Sequence, residues 1–292
     1  MSTWTQLKEA PARKKVTVHT LLEKKAKGEK ITFLTAYDYP TAVIEDKVGI
    51  DMILVGDSLG MCVYGFDSTL PVTMDMMVNH SKAVRKGAPS SFVIGDMPYM
   101  SYQISTELAV QNAGRLMQEA GVDGVKLEGG LEMVDTIKAI TRAGIPVMGH
   151  LGLTPQSASM LGGFKAQGRE VGAALKLIDE AKQLEEAGCF GILLEAIPAE
   201  VSQIITERAK IPILGIGGGP YCDGQVLVVH DLLGFFGGHV AKFVKQYASM
   251  NEIIEAAVTK YKEEVEQVAF PGPEHCYQIS EEELNKLKKA LE

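Results

Sequence analysis

The same junction between a helix and a strand recurs along the chain, and it constrains the fold more than any other feature of the sequence. At each repeat a helical stretch stops at a glycine, and an apolar run begins within the next few residues. The repeats lie at residues 48–52, 86–94, 120–124, 143–147 and 187–191. Glycine suits the left-handed position that ends a helix, because it has no Cβ to clash. Short apolar runs that alternate with amphipathic helical stretches are typical of parallel βα units.

Eight strands are predicted when the whole chain is divided at these junctions. They lie at about residues 31–36, 52–55, 92–94, 124–127, 146–148, 191–194, 212–214 and 226–229. Eight strands in this pattern favour a closed (β/α)8 barrel over an open sheet, and such a barrel takes about 250 residues. We therefore predict one barrel domain over residues 1–292, with an N-terminal arm and helix in residues 1–29 and a C-terminal extension in residues 266–292.

Local signals predict the segments outside the repeats. A helix is expected over residues 17–27, and another over residues 240–265, after the eighth strand. Ser280 and Glu283 have the spacing of a capping box and predict the start of a last helix. The segment 215–224, between the last two strands, is too short and glycine-rich to form the usual connecting helix.

Composition excludes several classes of function. The net charge of −8 argues against a nucleic-acid surface, because binding phosphates needs a basic face. No apolar run approaches the roughly 18 residues of a membrane span, and the N-terminus lacks the apolar core of a secretory signal. The four cysteines are widely separated, without a metal-ligand or paired spacing. We expect a cytoplasmic protein that binds neither nucleic acid nor membrane.

Polar residues follow the apolar run of nearly every predicted strand. In a (β/α)8 barrel these positions share one rim, at the carboxyl ends of the strands, where the active sites of this fold lie. One further polar residue, Lys126, lies inside an apolar strand, where a lysine is rare unless it is paired or functional. The candidate residues of this rim are Asp38, Asp57, Ser58, Asp96, Glu128, His150 and Glu195.

Each candidate also has a structural interpretation. Asp38 and Glu195 could cap the helices that follow them, and Asp57 and Asp96 could be turn or cap residues. His150 could be a hydrogen-bonded residue of the rim. Three further polar residues are interpreted as structural rather than catalytic. These are His80, His230 and Asp231.

Two glycine-rich motifs are misleading. Residues 56–60 match GxSxG, but the elbow of hydrolases must open a helix, and residues 61–65 look extended. Residues 215–219 resemble a dinucleotide loop, but Pro220 occupies the position of the third glycine. A turn that lets a substrate or the backbone approach closely is the better interpretation of the second motif.

The rim residues suit proton abstraction next to a carbonyl group. Asp57 and Asp96 follow adjacent strands, and Mg²⁺ is usually held by one or two carboxylates with water and substrate oxygens. Lys126 and His150 would bind an anionic substrate, and a bound metal would stabilise the enolate of a 2-oxo acid. Glu195 would act as the general base or acid.

The sequence resembles the 3-methyl-2-oxobutanoate (ketopantoate) hydroxymethyltransferase family in six stretches that follow one another in order. They are TAYDYP (35–40), VGDSLG (55–60), TLPVT (69–73), VKLEGG (125–130), GHLGLTPQ (149–156) and CDGQVLV (222–228). Three positions depart from the family pattern. Phe66 replaces a frequent histidine, Ser81 a usual threonine and Gly218 a common alanine.

The resemblance implies a barrel of the phosphoenolpyruvate mutase and isocitrate lyase type. It implies transfer of a hydroxymethyl group from the co-substrate 5,10-methylenetetrahydrofolate to 3-methyl-2-oxobutanoate, giving 2-dehydropantoate for coenzyme A synthesis. It also implies a homo-oligomer, which in this family is often a decamer. By motif position, Asp57 and Asp96 resemble the Mg²⁺ ligands, and Glu128 lies near the metal. Ser58, Lys126 and His150 resemble substrate contacts, and Glu195 resembles the proton acceptor.

Two other interpretations stay open at this point. One is another carbon–carbon bond enzyme of the same superfamily, although the Lys-Lys-Cys-Gly-His stretch of isocitrate lyases is missing from this sequence. The other is a barrel without catalytic activity, which a turnover assay would distinguish.

Overall fold

Eight parallel strands close into a barrel in the computed structural model, which describes residues 13–157, 166–235 and 240–292. Each strand pairs with its neighbours in sequence, and β8 pairs with β1 to complete the ring. The strands are β1 (Ile31–Thr35), β2 (Met52–Val55), β3 (Phe92–Asp96), β4 (Gly124–Glu128), β5 (Val147–Gly152), β6 (Gly191–Glu195), β7 (Ile213–Ile216) and β8 (Gly224–Leu227). The predicted closed barrel is therefore confirmed, with strand limits that differ by a few residues.

Helices also form among the described residues, and several of them pack directly on the barrel strands. They are α1 (Val18–Lys27), α2 (Tyr39–Val48), α3 (Leu59–Cys62), α4 (Met74–Gly87), α5 (Thr106–Arg115), α6 (Val134–Arg142), α7 (Val171–Glu186), α8 (Ala199–Arg208), α9 (Val229–Leu233), α10 (Met250–Glu266) and α11 (Glu281–Ala290). Helix α5 continues into one wider turn over Leu116–Ala120. No helix of the described residues has the length and apolar character needed to cross a bilayer.

The helix ends confirm several local predictions. Helix α1 matches the predicted helix, with Thr17 as its N-cap and Gly28 in the left-handed conformation at its end. The Ser280 hydroxyl accepts a hydrogen bond from the Glu283 amide, as expected for the start of α11. No helix forms between β7 and β8, where a glycine-rich turn connects the two strands directly.

Two predictions about local structure were wrong. The helix predicted over residues 240–265 begins only at Met250. Before it, Phe243 packs against Gly217 in the turn after β7, and the Tyr247 amide donates to the Leu232 carbonyl. These tertiary contacts draw the segment across the barrel mouth and override its helical periodicity.

The segment after Ser58 is also not extended, since residues 59–62 form the one-turn helix α3. A glycine at position 60 allows this turn to lie very close to Val72, because a Cβ there would be 2.6 Å from a Val72 methyl group. The short local sequence did not reveal this packing. Ser58 nevertheless hydrogen-bonds the Tyr37 hydroxyl at 2.8 Å rather than a histidine, which does not support the hydrolase interpretation.

The amino end of the barrel is closed by α1 and the residues before it. Three aspartates lie there, each one residue before β2, β4 or β8. The carboxylate of each accepts a hydrogen bond from a backbone amide of β1, β3 or β7. The amides are those of Thr32 for Asp51, Val93 for Asp123 and Ile213 for Asp223. Basic side chains pair with all three carboxylates, and most come from the N-terminal segment. They are Arg13 and Lys24 at Asp51, Lys15 and Arg85 at Asp123, and Lys25 at Asp223.

Candidate active site

All the predicted site residues except Asp38 meet at the carboxyl ends of the strands. They line one cavity of about 1050 Å³ that opens at the mouth of the barrel. The lining residues among the candidates are Asp57, Ser58, Asp96, Lys126, Glu128, His150 and Glu195. Asp38 lies outside this set, because its carboxylate accepts the Thr41 amide at 2.8 Å and caps α2. The capping interpretation of Asp38 is therefore supported.

The parallel register explains why these side chains are neighbours. Asp96 at the end of β3 pairs in register with Lys126 in β4, and Glu128 pairs with His150 in β5. Lys126 and Glu128 are two residues apart, so both side chains lie on the same face of β4. Strand alternation and register thus place two carboxylates, an ammonium and an imidazole side by side inside the mouth.

Three buried carboxylates lie around a single lysine. The Lys126 ammonium is 2.8 Å from Asp96 Oδ1 and 3.7 Å from Glu128 Oε1. The third carboxylate is that of Asp57. The backbone N–H of Asp57 donates to Asp96 Oδ2 at 3.1 Å, which places the two residues side by side. Only 3% of Lys126 is exposed, and this places its charge in an environment of low polarity.

The charge balance of this cluster shifts the pKa values of its members. Burial, together with the neighbouring carboxylates Asp96 and Glu128, raises the pKa of Asp57 well above its usual range. Burial also raises the pKa of Asp96, although the Lys126 ammonium opposes it. The pKa of Lys126 is raised, because attraction to Asp96, Glu128 and Asp57 outweighs the effect of burial. Burial and mutual repulsion therefore disfavour the charged forms of Asp57 and Asp96, whereas the carboxylates hold Lys126 in its charged form.

His150 connects this cluster to Glu195. Its Nδ1 lies 3.5 Å from Glu128 Oε1, and its Nε2 lies 3.2 Å from Glu195 Oε2. Burial and Lys126 lower the pKa of His150, but the bonds to Glu128 and Glu195 outweigh both and raise it to about 9. The imidazole therefore carries a positive charge near neutral pH. Glu195 is the more accessible partner, with 15% of its side chain exposed against 2% for His150.

The donor set fits a hard divalent cation. Asp96 Oδ1 and Glu128 Oε1 are buried oxygens that face only the charged groups of Lys126 and His150 among the described residues. Mg²⁺ requires only one or two protein carboxylates, because water and substrate oxygens complete its coordination. Among the described residues, no group of three or more His, Cys, Asp or Glu side chains has the arrangement of a preformed metal site. The buried carboxylates are nevertheless ligands of the type that Mg²⁺ takes from a protein.

A sequence model of the ketopantoate hydroxymethyltransferases matches residues 15–273 of this chain. The chain belongs to the ketopantoate hydroxymethyltransferase family. It is 54% identical over 273 residues to the 3-methyl-2-oxobutanoate hydroxymethyltransferase of Syntrophomonas wolfei, covering 94% of this chain and 99% of that protein. The enzyme of the same name from Clostridium botulinum is 54% identical over 271 residues, covering 93% of this chain and 98% of that protein. The predicted family and the prediction of an enzyme are thus confirmed.

Solved structures of the phosphoenolpyruvate mutase and isocitrate lyase superfamily share the fold. Phosphonopyruvate hydrolase aligns with a TM-score of 0.59 at 12% identity, covering 94% of this chain and 96% of that chain. The superfamily member 2,3-dimethylmalate lyase aligns with a TM-score of 0.55 at 14% identity, covering 94% and 99%. The predicted barrel type is confirmed at the level of fold.

The other polar residues near the mouth of this hydroxymethyltransferase-family barrel have different roles. His80 binds the Tyr37 carbonyl through Nδ1 at 2.6 Å and the Tyr64 hydroxyl through Nε2 at 3.1 Å, in agreement with a structural role. The ring of His230 stacks on Phe235. Asp231 differs from both histidines, because it lines the cavity.

Two residues that the sequence analysis did not assign hold the carboxylate cluster from behind. Gln156 is buried in the turn after β5, and its side-chain amide donates to Asp57 Oδ2 at 2.9 Å. Tyr102, only 1% exposed, donates its hydroxyl to Gln156 Oε1 at 2.7 Å. Gln156 belongs to one of the six matching stretches, but neither residue follows a strand directly, so the rim pattern did not select them.

Proposed function

We propose that this protein transfers a hydroxymethyl group from 5,10-methylenetetrahydrofolate to 3-methyl-2-oxobutanoate and forms 2-dehydropantoate. The observation that carries the proposal is the cluster of three buried carboxylates beside two cationic side chains, at the mouth of a barrel from this family. A 2-oxo acid that loses its C3 proton needs stabilisation of negative charge and a separate base. The mouth contains side chains suited to both tasks.

Asp57 and Asp96 are the residues that would hold the divalent cation, with Glu128 beside them. Burial is the main cause of their raised pKa values and neighbouring carboxylates add to it, so a bound cation would favour their charged forms. When bound, Mg²⁺ supplies Lewis-acid chemistry that polarises the keto group and stabilises the enolate. A solved phosphonopyruvate hydrolase complex of the same fold contains oxalate and Mg²⁺, which supports a cation in barrels of this shape.

Lys126, His150 and Ser58 bind the oxo acid in this proposal. Lys126 and His150 both carry positive charge near neutral pH, because their pKa values are raised by the surrounding carboxylates. They lie 3.4 Å apart, which concentrates positive charge on one side of the cavity for an anionic substrate. Ser58 lies in the turn after β2, and its hydroxyl is hydrogen-bonded to Tyr37. This hydroxyl can donate a hydrogen bond to a substrate oxygen.

Glu195 is the base that takes the proton from C3. It lies at the end of β6, on the far side of His150 from Asp96 and Lys126. Glu195 is not one of the carboxylates around Lys126, so it keeps a lone pair available to accept a proton. Its partial exposure allows it to reach a substrate in the cavity. The neighbouring imidazolium of His150 holds the carboxylate in place through Nε2.

The folate co-substrate would take the rest of the cavity, which is far larger than a five-carbon oxo acid requires. Apolar side chains line this part and suit the flat pterin ring. They include Leu153, Leu193, Ile197, Ile216 and Phe243. Arg169 and Lys242 also line the cavity and are exposed, which suits the carboxylates of the glutamate tail.

Exchange of the C3 proton of 3-methyl-2-oxobutanoate tests the proposed chemistry. The enzyme, Mg²⁺ and substrate are incubated in D₂O, and loss of the C3 proton signal is followed by NMR. We expect Glu195→Gln to retain substrate binding and to lose exchange by about 10²- to 10⁴-fold, the usual contribution of a general base. Exchange at the normal rate would place the base elsewhere.

A coupled turnover assay then tests the full reaction. We expect 2-dehydropantoate to form only when methylenetetrahydrofolate and a divalent cation are both present. If the C3 proton exchanges but no product forms, the proposed oxo-acid site would still be supported. The proposed use of the folate co-substrate would be contradicted. Without exchange or turnover in the wild-type protein, the proposed activity itself would be wrong.

We also propose that the protein assembles into a homo-oligomer, a decamer in the form expected from the family. Large apolar side chains remain exposed on several helices of the single chain. They include Ile44 and Val48 on α2, Val171 and Leu175 on α7, and Ile253, Val258 and Tyr261 on α10. Exposed apolar groups of this kind favour burial between subunits. Sedimentation analysis should show a species near ten chains, and a monomer at micromolar concentration would contradict this.

A further inference from the structure

Gln156 makes hydrogen bonds with every polar atom of its side chain. The amide nitrogen donates to Asp57 Oδ2 at 2.9 Å and to the Met97 carbonyl at 3.0 Å. The amide oxygen accepts from the Tyr102 hydroxyl at 2.7 Å and from Gln103 Nε2 at 3.2 Å. A buried polar network is stabilising and rigid only when all its members are satisfied, and this amide meets that condition.

The same residue reaches a second carboxylate of the cluster through its backbone. The Gln156 amide N–H donates to Glu128 Oε2 at 3.0 Å, while its side chain holds Asp57. One residue on the turn after β5 therefore fixes carboxylates that come from β2 and β4. Because both donors are neutral, they orient the two carboxylates without cancelling their negative charge.

Tyr102 determines the orientation of the Gln156 amide. Its hydroxyl oxygen accepts the Glu128 backbone N–H at 3.1 Å, so its proton points towards Gln156 Oε1. The Met97 carbonyl, which can only accept, faces the amide nitrogen from the other side. These contacts require the NH₂ group to face Asp57, and they exclude the flipped amide, which would place an oxygen against that carboxylate.

We propose that Gln156 and Tyr102 are positioning residues that preset Asp57 and Glu128 for a divalent cation. This inference rests on the proposed function, which places the cation at the same carboxylates. One oxygen of Asp96 and one of Glu128 are each held by a backbone amide, whereas Asp96 Oδ1 and Glu128 Oε1 face only the charged side chains of Lys126 and His150 among the described residues. Gln156 and Tyr102 are not among the described residues that line the cavity, so they act through the carboxylates and not on the substrate.

Binding of Mn²⁺ in the absence of substrate tests this role without relying on turnover. Mn²⁺ is a carboxylate-binding cation that is measured directly by electron paramagnetic resonance or calorimetry. Loss of a group that hydrogen-bonds a metal ligand typically costs about 10- to 100-fold in affinity. We expect a loss of this size in Gln156→Leu, and a smaller loss in Tyr102→Phe, which keeps the ring and removes only the hydroxyl.

Gln203→Leu is the matched control, because Gln203 makes one side-chain hydrogen bond, to Glu207, on the exposed face of α8. Its Mn²⁺ affinity should stay within twofold of the wild-type value. Thermal unfolding separates positioning from packing, since a purely structural role for Gln156 would lower the melting temperature and leave the Mn²⁺ affinity of the folded protein unchanged.

The outcomes distinguish this inference from the proposed function. Normal Mn²⁺ affinity in folded Gln156→Leu and Tyr102→Phe would overturn the positioning role alone. If Gln156→Leu does not fold, Tyr102→Phe decides the question, because the loss of one hydroxyl leaves the core packing intact. A wild-type protein that does not bind Mn²⁺ would overturn the cation site and the positioning role together.

Discussion

Carboxylates lie at both ends of the barrel, but their charged partners differ between the two ends. At the amino end, Asp51, Asp123 and Asp223 each accept a strand amide and pair with at least one Lys or Arg. At the carboxyl end, Asp57 and Asp96 share a single ammonium with Glu128. The pKa of Asp51 at the amino end is lowered, whereas the pKa values of Asp57 and Asp96 at the carboxyl end are raised.

Asp51 shows the effect of full pairing. Burial would raise its pKa, but the Lys24 ammonium at 2.6 Å and two hydrogen bonds from Thr32 outweigh this and lower it. Burial raises the pKa of Asp57, and the carboxylates of Asp96 and Glu128 raise it further, while its side-chain partner Gln156 is a neutral amide. The charges and hydrogen-bond donors around each carboxylate, together with burial, decide the sign of the shift.

The charges at the amino end of the barrel thus serve stability, and those at the carboxyl end serve function. Neutralised aspartates at the amino end attach the N-terminal segment to the strands and stabilise the fold. At the carboxyl end the charged forms of Asp57 and Asp96 are disfavoured in the isolated chain, and the proposed cation would stabilise them. Active sites of this fold lie at the carboxyl ends of the strands, in agreement with this division.

The largest expected difference between the two ends is in turnover. Asp96→Asn should reduce Mg²⁺-dependent turnover by about 10³-fold, because a bound metal contributes several kcal/mol and each 1.36 kcal/mol is tenfold in rate. Its melting temperature should not fall, since one of three crowded carboxylates is removed. Near-normal activity of Asp96→Asn at low Mg²⁺ would show that the cation lies elsewhere.

Asp223→Asn is the control at the amino end. It removes the charge that pairs with Lys25 at 2.6 Å and leaves the cavity residues unchanged. We expect a lower melting temperature with unchanged specific activity. Equal losses of activity in the two variants would contradict the division of roles.

A comparison of the buried Lys126 with the partly buried Lys25 gives the next largest effect. Lys126→Met should reduce turnover by about 10²-fold or more, in the range of other preorganised donors. Lys25→Met should leave turnover unchanged and destabilise the fold by about 1–3 kcal/mol, between the values for exposed and fully buried pairs. Both are measured as specific activity per folded protein and as urea unfolding. A large loss of stability in Lys126→Met with normal activity would support a purely structural role for Lys126.

The smallest effect is the pH dependence of stability at the amino end. Because the folded pKa of Asp51 is lowered, its contribution is fully present above the unfolded value of about 3.9 and is lost as pH falls through the folded pKa. Asp51→Asn should therefore be less stable than the wild-type protein at pH 7 by about 1–3 kcal/mol. The difference should narrow as the pH is lowered below about 4. A difference that is constant with pH would mean that the carboxylate charge of Asp51 contributes nothing.

Sequence patterns predicted the barrel and most of the rim because both depend on short-range periodicity. Strand and helix periods identified eight βα units, and the polar residue that ends each apolar run marked the active rim. The wrong predictions were in the segments before α10 and after Ser58. There, contacts of Phe243 with Gly217 and of Gly60 with Val72 determine the backbone path. Such contacts join residues that are far apart in the sequence or that belong to no recognisable sequence pattern.

The sequence by itself determined the βα repeat, the position of Asp57, Asp96, Lys126, Glu128, His150 and Glu195 on one rim, and the family. The tertiary structure decided which of these charges are paired, since the distances of Lys126 and His150 to each carboxylate depend on strand register and barrel closure. It also revealed Gln156 and Tyr102 behind the cluster. The physical reason is that periodicity is a local property of the chain, whereas charge balance and hydrogen-bond satisfaction are set by neighbours that only folding brings together.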